Sequence, residues 1–185
     1  MCWRIVFAVL AAAATLAPEA DGLAASHGIG LDAGYSSYLV PARRRGAGIG
    51  LHYRCLFLED LGIRASGFVS RHVELVEYDE TMAPETFILS GSAGLEYMID
   101  VGPVSPVIAL GGTFYHGDLY QDTRNDFGYF AGAGVEFPLS GPLFGGVEVD
   151  YFSQFNLSDE FPAYLLVLFR VTWKIGEAPE EISKI

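Results

Sequence analysis

Between residues 127 and 137 the chain alternates, with Phe127, Tyr129, Ala131, Ala133, Val135 and Phe137 set against Gly128, Phe130, Gly132, Gly134 and Glu136. A period of two puts successive side chains on opposite faces of a strand, one face apolar and the other small or polar. The pattern recurs about eight times, in runs of roughly ten residues closed by turns. The runs fall at about residues 28–39, 46–58, 61–70, 86–99, 106–115, 127–137, 146–154 and 163–173. They predict an all-β chain, an eight-stranded antiparallel up-and-down transmembrane β-barrel.

The faces can be read strand by strand. Ile29, Leu31, Ala33 and Tyr35 oppose Gly30, Asp32, Gly34 and Ser36, and Ile49, Leu51, Tyr53, Cys55 and Phe57 oppose Gly50, His52 and Arg54. Leu89, Ala93, Leu95 and Tyr97 oppose Ser90, Ser92, Gly94 and Glu96, and Val167, Phe169, Val171 and Trp173 oppose Arg170 and Thr172. The fifth run leaves its outer face open between Ile108, Leu110 and Phe114 on one side and Val107, Ala109 and Tyr115 on the other. Connections are expected at Pro41 with Arg43, Arg44 and Arg45, at Glu59-Asp60, at the acidic stretch 74–84, at Gly102-Pro103, at 116–125, at 138–142 and at 156–160. Short turns follow the second, fourth and sixth runs, which sets both termini on the periplasmic side of such a barrel. Aromatic residues near run ends, such as Tyr53, Tyr97, Tyr151 and Trp173, fit interfacial girdles.

The first 25 residues change the picture by fixing a compartment. Arg4 precedes an apolar stretch at residues 5–16, and the small residues Gly22, Ala24 and Ala25 follow, the layout of a cleaved signal peptide. Twelve apolar residues are too few for a helical span, which takes about 20. The expected organisation is a signal peptide at 1–25, an outer-membrane barrel domain at 26–175 and a polar tail at 176–185. Removal of the signal takes Cys2 away, so Cys55 remains without an intramolecular disulfide partner. Hydrophobic residues make up 51% of the chain and mean hydropathy is +0.30, although no later run reaches the length of a helical span. The net charge of −12 and the lack of a basic stripe exclude nucleic acid as a partner.

Charged residues inside the runs are the candidate site. Arg54, Arg64, Glu96, Glu136, Glu148, Asp150 and Arg170 all fall on the inner face. Arg or Lys at the bilayer midplane on the outer face would cost about 2–4 kcal/mol each. An eight-stranded barrel is just wide enough for side chains to fill. These seven residues are expected to pair there as an ion network, with inward glycines giving them room and with no continuous open pore.

Strands such as GYFAGAGVEF and FGGVEVDYF, with the final YLLVLFRVTW, resemble the small bacterial outer-membrane β-barrel proteins of the OmpA/OmpX type. The resemblance implies insertion in the outer membrane with the help of the barrel-assembly machinery. It also implies a structural or surface-contact role, in which the loops reach a surface partner, and it brings no catalytic residue with it. About a dozen residues follow Trp173, where members of the family often end at an aromatic residue. Arg43, Arg44 and Arg45 could meet lipopolysaccharide phosphates through bidentate hydrogen bonds, against the plainer reading of a solvated turn.

Two other classes compete. A lipid A-modifying enzyme needs a nucleophile and a base, and only Ser70, Arg71, His72 and Glu74, or His116 with Asp118, are suggestive. A soluble periplasmic ligand-binding barrel would need apolar side chains inside and polar ones outside, the reverse of the charged positions. His27, His52, His72 and His116 are dispersed without metal-ligand spacing. No enzyme activity, cofactor or metal is expected.

Overall fold

A computed structural model describes residues 26–38, 44–74, 86–119, 122–155 and 163–175. They form eight strands: β1 Ser26–Tyr38, β2 Arg44–Leu56, β3 Leu61–Glu74, β4 Thr86–Met98, β5 Ser105–Leu119, β6 Asp122–Ser140, β7 Leu143–Gln154 and β8 Tyr164–Ile175. Each strand pairs antiparallel with the next, and β8 returns to β1 to close the barrel. Closure satisfies the backbone donors and acceptors of every strand without leaving a sheet edge, the condition for a sheet to cross a bilayer. No helix among the described residues is long and apolar enough to cross a membrane.

The outer wall carries the apolar face. Ile49 is 71% exposed and Leu31 64%, and Phe87, Leu95, Leu110, Phe169 and Trp173 are likewise exposed. The fifth strand resolves its open register in favour of Ile108, Leu110 and Phe114 outside, while Val107, Ala109, Thr113 and Tyr115 are buried inside. Cys55 shares the outer face of β2 but is 3% exposed, flanked by His27 on β1 and Ile63 on β3.

Strand ends differ from the sequence reading in four places. Residues 116–125, expected as a loop, are mostly ladder, because β5 and β6 stay paired to Leu119 and Asp122. The sequence there is mostly polar, so alternation fades while the backbone pairing continues; His116 Nδ1 and Asn125 Oδ1 bond across it at 2.8 Å. Arg44 and Arg45 lie in β2 and Glu74 in β3, so the connections there are shorter than expected. The turn at 138–142 contracts to Gly141 and Pro142, after a register shift between Pro138 and Ser140. Gly141 has φ +52° and Gly102 has φ +105°, conformations in which a Cβ is strained, so glycine suits both tight turns.

Candidate functional site

The inner face divides into two layers. Nearer the end where β1 begins at Ser26 and β8 ends at Ile175, β2 supplies His52 and Arg54, β3 Arg64, β4 Glu96, β6 Glu136, β7 Glu148 and Asp150, and β8 Arg170, Thr172 and Lys174. Nearer the other end, Phe68, Ile88, Tyr115, Phe130, Phe152, Tyr164, Leu166 and Leu168 form an apolar cluster. The Phe152 and Tyr164 rings stack at 4.7 Å, and Tyr115 and Phe130 lean on them at 5.8 Å each. The bulk of this second layer was not anticipated, since the inner face read as mostly glycine, serine and charge.

Within the ionic layer Arg64, 1% exposed, pairs with Glu148 and lies 3.5 Å from Asp150 and 3.6 Å from Glu96. Arg54 Nη2 donates to Glu136 Oε2 at 2.5 Å, and Nη1 reaches Glu96 Oε1 at 3.4 Å. Arg170 pairs with Glu148 and sits 3.1 Å from Asp32, while Lys174 Nζ meets Glu136 at 3.2 Å and lies over the Phe144 ring at 3.4 Å. All seven charges assigned to the interior therefore meet in one connected set.

Three members were missed as partners. Asp32 and His52 sat on the inner face in the sequence but were not counted with the charges, and Lys174 lay one residue past the expected strand end. An ionised carboxylate can only accept, so His52 Nδ1–H donates to Asp32 Oδ1, at 2.8 Å, and Nε2 joins Thr172 Oγ1 at 3.0 Å. Glycines make room for these side chains. A Cβ on Gly132 would stand 2.0 Å from Asp150 Oδ1 and 2.6 Å from Glu148 Oε1. The space left among His52, Arg54, Glu136, Arg170 and Thr172 is about 20 Å³, room for a single water.

A closed eight-stranded wall with an apolar outside and an ion-paired inside decides the architecture. The fold is that of the small outer-membrane barrels. The Yersinia pestis attachment invasion locus protein Ail, solved with the heparin analogue sucrose octasulfate, matches with a TM-score of 0.53 at 16% identity, over 82% of this chain and 97% of that one. Neisserial surface protein A matches at 0.52 and 17% identity, over 82% and 97%. The outer membrane protein OprG of Pseudomonas aeruginosa matches at 0.55 and 12% identity, over 83% and 97%. No protein-family model and no curated protein sequence matches the chain.

The other candidates separate. Ser70 and His72 point into the barrel and are buried, with His72 Nε2 bonded to Ser36 Oγ at 2.6 Å, whereas Arg71 between them faces out. The suggested nucleophile cluster is thus split across the wall by the strand's own alternation. His116 faces out and bonds Asn125. Among the described residues no group of three or more His, Cys, Asp or Glu is placed to hold a metal. Arg45 is exposed at the start of β2, and Arg43 lies outside the described residues.

Proposed function

We propose that this chain is an outer-membrane barrel of a bacterium, exported by a signal peptide at residues 1–25, which adds structure to the envelope and presents its loops as a contact surface. Residues 26–175 are the barrel on this reading, and 176–185 a polar tail in the periplasm. The observation that carries it is the apolar outer band on a closed barrel whose interior ion network, Arg54, Arg64, Glu96, Glu136, Glu148, Asp150 and Arg170, turns inward. Lipid is the one solvent in which that distribution is favourable on both faces.

Lipopolysaccharide is the proposed lipid partner on the loop side, met by Arg43, Arg44 and Arg45. Ail was solved with a sulfated sugar, and a polyanion could approach this chain, at net charge −12, most readily at that basic turn. An enzymatic role is the weaker reading, because a buried histidine already bonded to a buried serine has no path to a lipid substrate. A soluble ligand-binding barrel is weaker still, since the outer wall is apolar and the space left among the ionic-layer side chains, about 20 Å³, is far below the roughly 300–1,000 Å³ of a small-molecule pocket.

The test is gel mobility of the protein from an outer-membrane fraction, in mild detergent, with and without boiling. A faster unboiled band is expected. A soluble periplasmic protein with no such shift would remove the membrane reading.

A further inference from the structure

Seven of the eight joints in the barrel wall link strands that follow one another in the chain, so their connections constrain register. The eighth, between β1 and β8, joins strands that no turn connects, and its register rests on side chains alone. A slip of one residue there would turn the apolar residues of β8 inward and is excluded by the alternation. A slip of two keeps every face. Ile29, Leu31, Ala33 and Tyr35 would still lie beside Val167, Phe169, Val171 and Trp173, and the inward residues of β1 nearby are mostly glycine. The hydrophobic pattern therefore cannot choose among registers two residues apart.

What differs among them is charge. In the observed register Asp32 lies directly opposite Arg170, with Oδ1 3.1 Å from Nε. Among inward residues with described side chains, this is the one opposite-charge pair that faces directly across a joint. Elsewhere the charges face glycine, uncharged residues or a like charge, as Arg54 faces Gly28 and Arg64, and Glu148 faces Gly134 and Leu168. Their ion pairs run diagonally or across the lumen. A slip of two would set Asp32 against Leu168 or Thr172, and Arg170 against Gly30 or Gly34.

A second contact spans the same joint. His52 on β2 passes over Gly30 of β1, bonds Asp32, and reaches Thr172 on β8. Gly30 is needed for that passage, because a Cβ there would stand 2.4 Å from His52 Cε1 and 2.3 Å from the Val171 carbonyl oxygen. Three strands are pinned by one imidazole.

We propose that Asp32, Arg170, His52 and Thr172 act as a latch that selects the register in which the last strand joins the first. The latch concerns closure of the wall and is independent of what the barrel contacts in the membrane.

Cross-linking reads it directly, in the full chain carrying Cys2→Ser and Cys55→Ser. Ala33→Cys with Phe169→Cys reports the observed register; Ala33→Cys with Val167→Cys or Val171→Cys reports the two slipped ones. Cysteines offset by two residues across a joint lie beyond disulfide reach. With the latch intact, only the 33–169 pair oxidises. Asp32→Asn is expected to lower that cross-link about threefold and to raise a slipped one, because it removes the one opposite charge that faces Arg170 across the joint and weakens the bond from His52. Glu96→Gln removes an equally buried acid that pairs away from this joint, and is expected to keep the 33–169 cross-link alone. Slipped cross-links of equal yield in Glu96→Gln would overturn the latch, as would a purely native pattern in Asp32→Asn. If Asp32→Asn yields no closed species, Thr172→Val, which keeps volume and removes the bond to His52, is read instead, and a purely native pattern there also overturns it.

Discussion

Arg64 and Phe130 meet at the middle of the barrel, the guanidinium 5.1 Å from the ring centre, yet they belong to two different kinds of filling. The aromatic layer holds by contact, and each ring touches near neighbours with no demand on direction. The ionic layer holds by reach, since Arg64 on β3 answers carboxylates on β4 and β7, and Arg54 on β2 answers β4 and β6. Loss of one ring leaves a gap, whereas loss of the Arg64 guanidinium strips Asp150 of its counter-ion and leaves Glu148 and Glu96 with one partner each, Arg170 and Arg54. The two layers should therefore fail differently under substitution.

Arg64→Met should show the largest effect, a loss of about 3–5 kcal/mol in urea unfolding followed in detergent micelles, because Glu96, Glu148 and Asp150 stay behind as buried charges. Gly94→Ala comes next, since its Cβ would stand 2.2 Å from the Leu110 carbonyl oxygen and 2.6 Å from Gly111 Cα. Both are backbone atoms held in the ladder, so a loss of about 1–3 kcal/mol is expected in the same measurement. Phe130→Leu, which shrinks a ring with no exposed surface, should cost about 1–2 kcal/mol and leave the heat-dependent gel shift intact. Lys174→Met at the rim should change stability by at most about 1 kcal/mol, its side chain being 26% exposed. If Phe130→Leu proved as costly as Arg64→Met, the distinction between the layers would collapse.

Much of this arrangement was legible in the chain. Alternation identified the outward apolar residues and placed Arg54, Arg64, Glu96, Glu136, Glu148, Asp150 and Arg170 inside, because a charge in the inner phase of a period-two run has only one side to go to. Which arginine meets which acid was not legible, since it depends on how far each strand is staggered around the barrel. The aromatic layer was hidden for a related reason. Where both faces of a strand are apolar, as in Leu165, Leu166, Val167, Leu168 and Phe169, the period disappears and a run reads as featureless. The fifth strand was ambiguous because Gly111 and Gly112 interrupt its alternation at the centre. The reach of β5 and β6 beyond the apolar band was missed because polar residues there look like loop.

Cys55 has a practical consequence. It is the one cysteine among the described residues, and it is buried in the outer wall beside His27, which bonds the Tyr53 hydroxyl at 2.8 Å. A thiol so enclosed should be silent to a water-soluble maleimide while the wall is shut and should react when strands part. The protein thus carries its own stopwatch for opening, and the maleimide labelling rate against urea concentration would time the breach of the wall without any introduced cysteine.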